Sequence, residues 1–240
     1  MLAAGVGKRL GGSHGAPKVL LEFDGRTLLE RHLRALAANG MERLSITVGH
    51  MADMVRAEAE RHAGDIALTF IDNPRYREGS LVSLWQQRGL LQSGQPTLIM
   101  DGDVLYDSRM IARLLDASSE NVLLCDRELE PGDEPVKICF RGDTIVDFRK
   151  VPEHAHDWYG ESVGFFRFSP AMAMRLAARC DHYVQAGRGD LEYEEAMRDL
   201  ILADPARFGA ADVTDLPWTE IDFAEDVEKA RGIILPELKD

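Results

Sequence analysis

Met1-Leu-Ala-Ala-Gly-Val-Gly-Lys-Arg-Leu-Gly-Gly-Ser-His-Gly-Ala-Pro-Lys18 opens the chain, and its reading decides the fold. Leu2, Ala3 and Ala4 form a short apolar run into Gly5 and Gly7, and a glycine-rich loop follows. Glycines let successive backbone N–H groups turn toward one anion, which is how a phosphate-binding concavity is made. Arg9 adds a planar fork of donors and Lys18 a mobile point charge. The spacing is neither GxGxxG nor GxxxxGK[ST], so the dinucleotide-fold and P-loop readings fail. A phosphate-binding loop of another kind remains, with an ordinary surface loop as the alternative.

Beyond this stretch, strand and helix patterns alternate. Thr27-Leu-Leu-Glu30 has the form of a capping box, Leu29, Leu33 and Leu36 follow at helical spacing, and Gly40 is a stop. Residues 44–48 and 66–71 read as strands around a polar-faced helix at 52–63, with Asn73-Pro74 closing the second strand. Such alternation predicts an α/β fold whose parallel sheet is covered on both faces, with right-handed crossovers. Ser80 is expected to cap the next helix, and Asp107, Ser169 and Asp190 to cap later ones. Around 135–150 the period changes: 136–140 and 144–148, joined by Arg141-Gly-Asp143, read as a hairpin beside the main sheet. Residues 163–168 and 218–222 complete the strands.

The apolar strand 97–100 ends in Asp101-Gly102-Asp103. Ligands of open α/β sheets bind beyond the carboxyl ends of strands. Two acids at the end of a buried strand are costly unless a cation sits with them. A turn accounts for Asp101-Gly102 but does not require Asp103, which reads as a ligand to Mg²⁺, a hard cation that takes oxygen donors. Other positions keep two readings. The loop before Gly79 and Ser80 is an ordinary connection or a ligand contact. Lys150 is a solvated lysine or a phosphate contact. Glu192, Glu194 and Glu195 form a solvated first turn, unless Tyr193 or Glu194 faces a pocket. Asp222 has the spacing of an N-cap, with Glu225 at the third helical position.

The 240 residues carry a formal net charge of −13. That excludes a basic nucleic-acid face and an anionic membrane surface as partners. Three cysteines without a CxxC pair fit a reducing compartment and no structural zinc. No run approaches 18 apolar residues, so a cytoplasmic location is expected.

Leu2-Ala-Ala-Gly-Val-Gly-Lys-Arg9 with Pro17-Lys18 resembles the signature of nucleotidyltransferases that activate sugar and alcohol phosphates with NTP. Gly79-Ser-Leu-Val-Ser-Leu-Trp85, Met100-Asp-Gly-Asp-Val104, Gly160-Glu-Ser-Val-Gly-Phe-Phe166 and Pro217-Trp-Thr-Glu-Ile-Asp222 narrow the resemblance to the phosphocholine cytidylyltransferase-like branch. It covers essentially the whole chain and implies one nucleotidyltransferase domain, 1–240. The fold it implies is a Rossmann-like, mostly parallel mixed sheet of the nucleotide-diphospho-sugar transferase type, with a small β lid about 135–165. Such proteins have several more apolar residues before this motif, so the true start lies upstream or Met1 is simply the first ordered residue.

The resemblance also implies roles. Leu2, Ala3, Ala4, Gly5, Gly7, Gly79, Ser80 and Asp101 bind CTP or another NTP. Arg9, Lys18 and Lys150 neutralise phosphates, and Asp103 with Asp222 holds Mg²⁺. Trp85, Tyr159, Glu161, Tyr193, Glu194 and Glu220 face a small phosphorylated or phosphonate acceptor. A choline acceptor calls for an aromatic cage, to which Trp158 and Trp218 are further candidates. A homodimer is compatible with this reading. Two alternatives stand beside the cytidylyltransferase: a sugar-1-phosphate nucleotidyltransferase using UTP or another NTP, and a non-catalytic nucleotide-binding regulatory subunit.

Overall fold

The computed structural model describes residues 1–7, 16–128 and 134–239. In chain order it runs β1 (Leu2–Ala3), β2 (Glu22–Phe23), β3 (Arg26–Thr27), α1 (Leu28–Ala38), β4 (Arg43–Val48), α2 (Ala52–His62), β5 (Ala67–Asp72), α3 (Ser80–Gln86) and α4 (Arg88–Leu91). Next come β6 (Thr97–Met100), β7 (Val104–Tyr106), α5 (Arg109–Asp116), β8 (Asn121–Asp126), β9 (Lys137–Arg141), β10 (Thr144–Arg149) and β11 (Trp158–Phe168). The chain closes with α6 (Pro170–Gln185), α7 (Tyr193–Ala203), β12 (Phe208–Asp212), β13 (Trp218–Glu220), α8 (Ala224–Lys229) and α9 (Leu235–Glu237). Two compact units result. The first holds Met1–Arg77, Met100–Ala112 and Leu216–Asp240; the second holds Glu78–Ile99 and Arg113–Asp215.

In the first unit β1, β4 and β5 form a parallel sheet, with Leu2 beside Thr47 and Val48 beside Asp72. The central strand β4 is buried at Leu44, Ile46, Thr47 and Val48, as expected inside a parallel sheet, while β5 is its half-exposed edge. Asp101 bridges to Leu2 in parallel, which puts the Asp101–Asp103 turn at the carboxyl end of β1. The pair β7–β13 is antiparallel, with Val104 opposite Glu220. Thr27 caps α1 by accepting from the Glu30 N–H at 3.0 Å, and Leu28, Leu29, Leu33 and Leu36 are buried behind it. Phe23, Leu28, Leu105, Ile221, Val227 and Ile234 make one core cluster. Burial of such side chains contributes roughly 1.5–3 kcal/mol each.

In the second unit the strand order is β10-β9-β11-β8-β12, with β6 also on β11. The pairs β10–β9, β9–β11 and β11–β8 are antiparallel, and β8–β12 is parallel. The hairpin expected near 135–150 is present as β9–β10, and it is the edge of this sheet, paired through β9 to β11. Strand β11 begins at Trp158, five residues before the expected start. Phe166 meets Phe148 and Tyr193 edge-on, with centroids 6.0 Å apart in both cases. Ser169 caps α6 as expected. Two expected caps are corrected. Gly79, not Ser80, precedes α3, and the Ser80 hydroxyl instead accepts from the Tyr193 N–H at 2.9 Å. Glu192, not Asp190, is the N-cap of α7 and makes no side-chain cap.

Asp147 is fully buried and organises the turn after β10. Its carboxylate accepts from Arg198 Nε at 2.6 Å and from the N–H groups of Glu153 and His154 at 2.7 and 2.9 Å. Burial works against its charge, but Arg198 and these N–H groups outweigh it and hold the carboxyl well below the usual range. A carboxyl depressed in the folded state contributes stability above its unfolded pKa of about 3.9 and loses it as pH falls. Urea denaturation is therefore expected to show a stability gap between the native protein and Asp147→Asn that is full at pH 6 and closes below about pH 4. Arg198→Met, which strands the buried charge, is expected to cost about 3–5 kcal/mol at pH 7.

Candidate functional site

Three carboxylates converge in the first unit. Ligand oxygens of Asp103, Glu220 and Asp222 all lie within 4.8 Å of one another. The backbone brings them together: the antiparallel register of β7 and β13 continues one step further, where the Ile221 N–H donates to the Asp103 carbonyl at 2.9 Å. Glu220 and Asp222 therefore flank Asp103 from the neighbouring chain segment. Lys18 Nζ stands among them, 2.9 Å from Asp103 Oδ2 and 2.5 Å from Asp222 Oδ1. Burial opposes the lysine's charge, but Asp103 and Asp222 prevail and hold the ammonium above its ordinary range. Glu220 as a residue is exposed, yet protein atoms crowd its carboxyl and Asp103, Asp222 and Asp101 repel its charge. It is held well above the ordinary carboxylate range.

Asp222 is not a helix cap, which removes its bland reading. Phe223 precedes α8, and the Asp226 carboxylate accepts from the N–H groups of Asp222 and Phe223 at 2.8 and 2.6 Å. The Asp222 side chain is left to face Lys18. Glu220, expected to face the acceptor, sits with the two expected metal ligands. Hard oxygen donors in this number suit Mg²⁺, and the lysine ammonium already stands as a cation among them. A second acidic group, Glu30 and Glu58 with His62, carries its own cations: Arg34 pairs with Glu30 and Arg61 with Glu58, both at 2.8 Å.

Of the residues expected to bind the nucleotide, Leu2 and Ala3 form β1 and Ala4 and Gly5 lead out of it; Ala3 and Ala4 are buried and Gly5 is exposed. Gly7 takes a positive φ of 64°, a conformation glycine adopts freely. Arg9 lies outside the described residues. Gly102 needs its missing side chain, because a Cβ there would lie 2.9 Å from the Leu2 carbonyl oxygen.

In the second unit a cavity of about 350 Å³ is lined by Arg149, Lys150, Glu153, Glu192, Glu194 and Glu195, with two valines. The turn of glutamates expected to be solvated thus lines a cavity instead. Lys150 Nζ pairs with Glu192 at 3.1 Å and Glu134 at 3.4 Å, and Arg149 pairs with Glu195 at 2.9 Å and with Glu153. Burial opposes the Lys150 charge, but Glu192 and Glu134 raise its pKa. Four carboxylates against two cations leave the lining acidic.

Several expected ligand residues have other work. Tyr193 belongs to the core against Phe166. Trp85 donates its indole N–H to Asp181 at 3.1 Å and carries Arg88 on its face. Trp158 stacks on Phe140 at 4.0 Å, and Trp218 is buried. Tyr159 is exposed, and Glu161 lies on β11 opposite Asp126 and Lys137. Gly79 packs against the 190–191 backbone, where a Cβ would lie 2.0 Å from the Leu191 carbonyl oxygen.

The profile of the MobA-like NTP transferase domain matches residues 1–162. The chain belongs to this family. A bifunctional IPC transferase and DIPP synthase of Rubrobacter xylanophilus is 27% identical over 98% of this chain and 51% of its own length. A CMP-5'-(3-aminopropyl)phosphonate synthase of Streptomyces rubellomurinus is 27% identical over 96% of this chain and 37% of its own. This NTP transferase domain thus spans about half or less of these relatives. The inositol-1-phosphate CTP transferase of T. maritima superposes with a TM-score of 0.78 at 19% identity, covering all of this chain and 96% of that one. The likeness establishes the α/β fold of the nucleotide-diphospho-sugar transferase type. Among the described residues, no helix is long and apolar enough to cross a membrane.

A carboxyl raised in the folded state binds its proton more tightly there, so its contribution falls as pH rises above the unfolded value. Glu220→Gln is accordingly expected to raise the melting temperature of this domain at pH 8 and to leave it unchanged near pH 4. The same variant is expected to bind Mn²⁺ more weakly in a calorimetric titration. A uniform stability change at both pH values would remove the charge-crowding account.

Proposed function

We propose that the domain is a cytoplasmic, CTP-dependent cytidylyltransferase that transfers CMP to a small phosphate or phosphonate acceptor. The carrying observation is the convergence of Asp103, Glu220 and Asp222 around Lys18 beside the end of β1. An acceptor oxygen attacks the α-phosphorus of CTP, a new P–O bond forms, and the bond to the bridging oxygen breaks to release pyrophosphate. The attacking oxygen is already anionic, so no protein nucleophile is needed, and alignment with charge neutralisation does the catalysis. Asp103, Glu220 and Asp222 would hold Mg²⁺, which when bound supplies Lewis-acid stabilisation of phosphate charge. Lys18 and Arg9 neutralise the triphosphate, the backbone from Leu2 to Gly7 cradles it, and Asp101, Gly79 and Ser80 complete the nucleotide contacts.

Lys150 contacts the acceptor phosphate, with residues 1–240 acting as one nucleotidyltransferase domain. Among the described residues the cavity beside Lys150 is lined by a surplus of glutamates and by no aromatic residue, which favours an acceptor bearing a primary ammonium over choline. A quaternary ammonium wants an aromatic cage, whereas an –NH₃⁺ group wants carboxylates. The relatives that act, by their names, on an aminopropylphosphonate and in IPC transfer keep both classes in view.

The test is pyrophosphate release with each of four NTPs against aminoalkylphosphonates, phosphocholine, inositol phosphate and hexose 1-phosphates. CTP with an aminoalkylphosphonate is expected to turn over fastest, and release with no pyrimidine triphosphate would refute the proposal. Asp103→Asn and Asp222→Asn are each expected to lose on the order of 10²–10³-fold, since a bound metal contributes several kcal/mol and about 1.4 kcal/mol is tenfold in rate. The double variant should lose little more than either single, because both act through one ion. Glu194→Gln is expected to raise KM for the amine-bearing acceptor with KM for CTP unchanged.

A further inference from the structure

Helix α1 carries one polar side chain that is fully buried and makes no contact expected of a helix of this kind. His32 is 0% exposed, and both of its ring nitrogens face the same short segment of the first unit. Nε2 lies 3.1 Å from the carbonyl oxygen of Gly102, and Nδ1 lies 3.3 Å from the hydroxyl of Tyr106. Gly102 and Tyr106 bracket Asp103, so one imidazole spans the two ends of the stretch that carries the carboxylate.

The chemistry of the partners fixes the tautomer. A carbonyl oxygen only accepts, so Nε2 carries the proton and donates to Gly102, and Nδ1 accepts from the Tyr106 hydroxyl. Burial pushes the imidazole down to about 4, so it is neutral at physiological pH and this single arrangement persists. The other groups of the turn are held from elsewhere: the Gly102 N–H donates to the Leu2 carbonyl at 3.0 Å, and the Asp103 carbonyl accepts from Ile221. Lys18 holds the Asp103 carboxylate itself at 2.9 Å, whereas His32 holds the backbone of the turn and ties it to a helix.

We propose that His32 is a positioning residue that sets Asp103 by fixing the Gly102 carbonyl. The inference rests on the reading of Asp103 as a metal ligand. Partners that orient a ligand commonly matter about 10–100-fold in metal affinity. A buried histidine that merely fills the core would instead affect stability and leave the affinity of the folded protein alone.

Glutamine and asparagine separate the two roles. The amide of Gln at position 32 reaches the place of Nε2 and can donate to Gly102, whereas Asn reaches only the place of Nδ1. Both are polar and smaller than histidine, so both remove packing. Mn²⁺ binding is measured by the loss of free-ion electron paramagnetic resonance signal, on the native protein, His32→Gln and His32→Asn, with and without CTP. The expected result is affinity near native for His32→Gln and about 10–100-fold weaker for His32→Asn. Equal affinities in the two variants overturn the inference and leave the metal reading standing. Absence of Mn²⁺ binding to the native protein, even with CTP, overturns the metal reading and the inference with it. Because a buried substitution can unfold the protein, a second measurement needs no variant: nitrogen-15 spectra of the native protein should place the His32 proton on Nε2. A proton on Nδ1 overturns the proposal.

Discussion

Three carboxylates within a few ångströms cannot all stay ionised without a cation, and the site in the first unit is arranged around that constraint. At about 4 Å two unit charges repel by roughly 1 kcal/mol in water and by several times that near protein. Lys18 answers two of the three, at 2.9 and 2.5 Å. Glu220 is left with a raised affinity for a proton, from the burial of its carboxyl first and from the neighbouring carboxylates second. A fold tolerates this arrangement only where rigid backbone enforces it. Here the β7–β13 register and the Ile221–Asp103 hydrogen bond fix the approach of the acids. The backbone thus holds the three acids side by side before any ligand arrives.

The parts of this design that are local in sequence are the parts the sequence reveals. Thr27 caps α1, Ser169 caps α6, and the Arg141-Gly-Asp143 turn closes a hairpin, each because a turn or cap is decided by residues two to four apart. The glycine-rich opening is legible for the same reason. Asp222 shows the limit. Its spacing to Glu225 imitates a cap, but the cap belongs to Asp226, and the partner of Asp222 is Lys18, 204 positions away. Nothing in a cap pattern announces a partner at that distance. Glu220 illustrates the complementary point: residues two apart on a strand share a face. Applied to the Thr219-Glu-Ile-Asp222 run, that period is the sequence signal that puts Glu220 beside Asp222.

Aromatic residues follow a different rule. Trp85, Tyr193 and Trp218 are attractive cage candidates by type, but an aromatic ring buries more apolar area than any other side chain and is drawn to cores. In the second unit Tyr193 and Phe166 meet edge-on, and the cavity is left to charged residues whose long stems reach its wall. The glutamates at the start of α7 were read as solvated because carboxylates suit a helix N-terminus. They do occupy that first turn, and the same turn faces Lys150 and Arg149. A helix start rich in acid can satisfy its dipole and line a cavity at once, so the compositional argument cannot choose between the two.

The two units also use carboxylate charge differently. Asp147 accepts from Arg198 and from two backbone N–H groups, with every strong contact supplied by the protein itself. Such a carboxylate is complete, and its depressed pKa records how well it is satisfied. The Asp103–Glu220–Asp222 group is the opposite case, because one ammonium serves three acids and the deficit appears as the raised pKa of Glu220. A completed carboxylate stabilises a turn and asks for nothing further. An under-neutralised group lowers the stability of the fold that carries it, and it is stabilised by any divalent cation that binds the folded form alone. A divalent cation bound there would offset the same deficit that weakens the domain by itself.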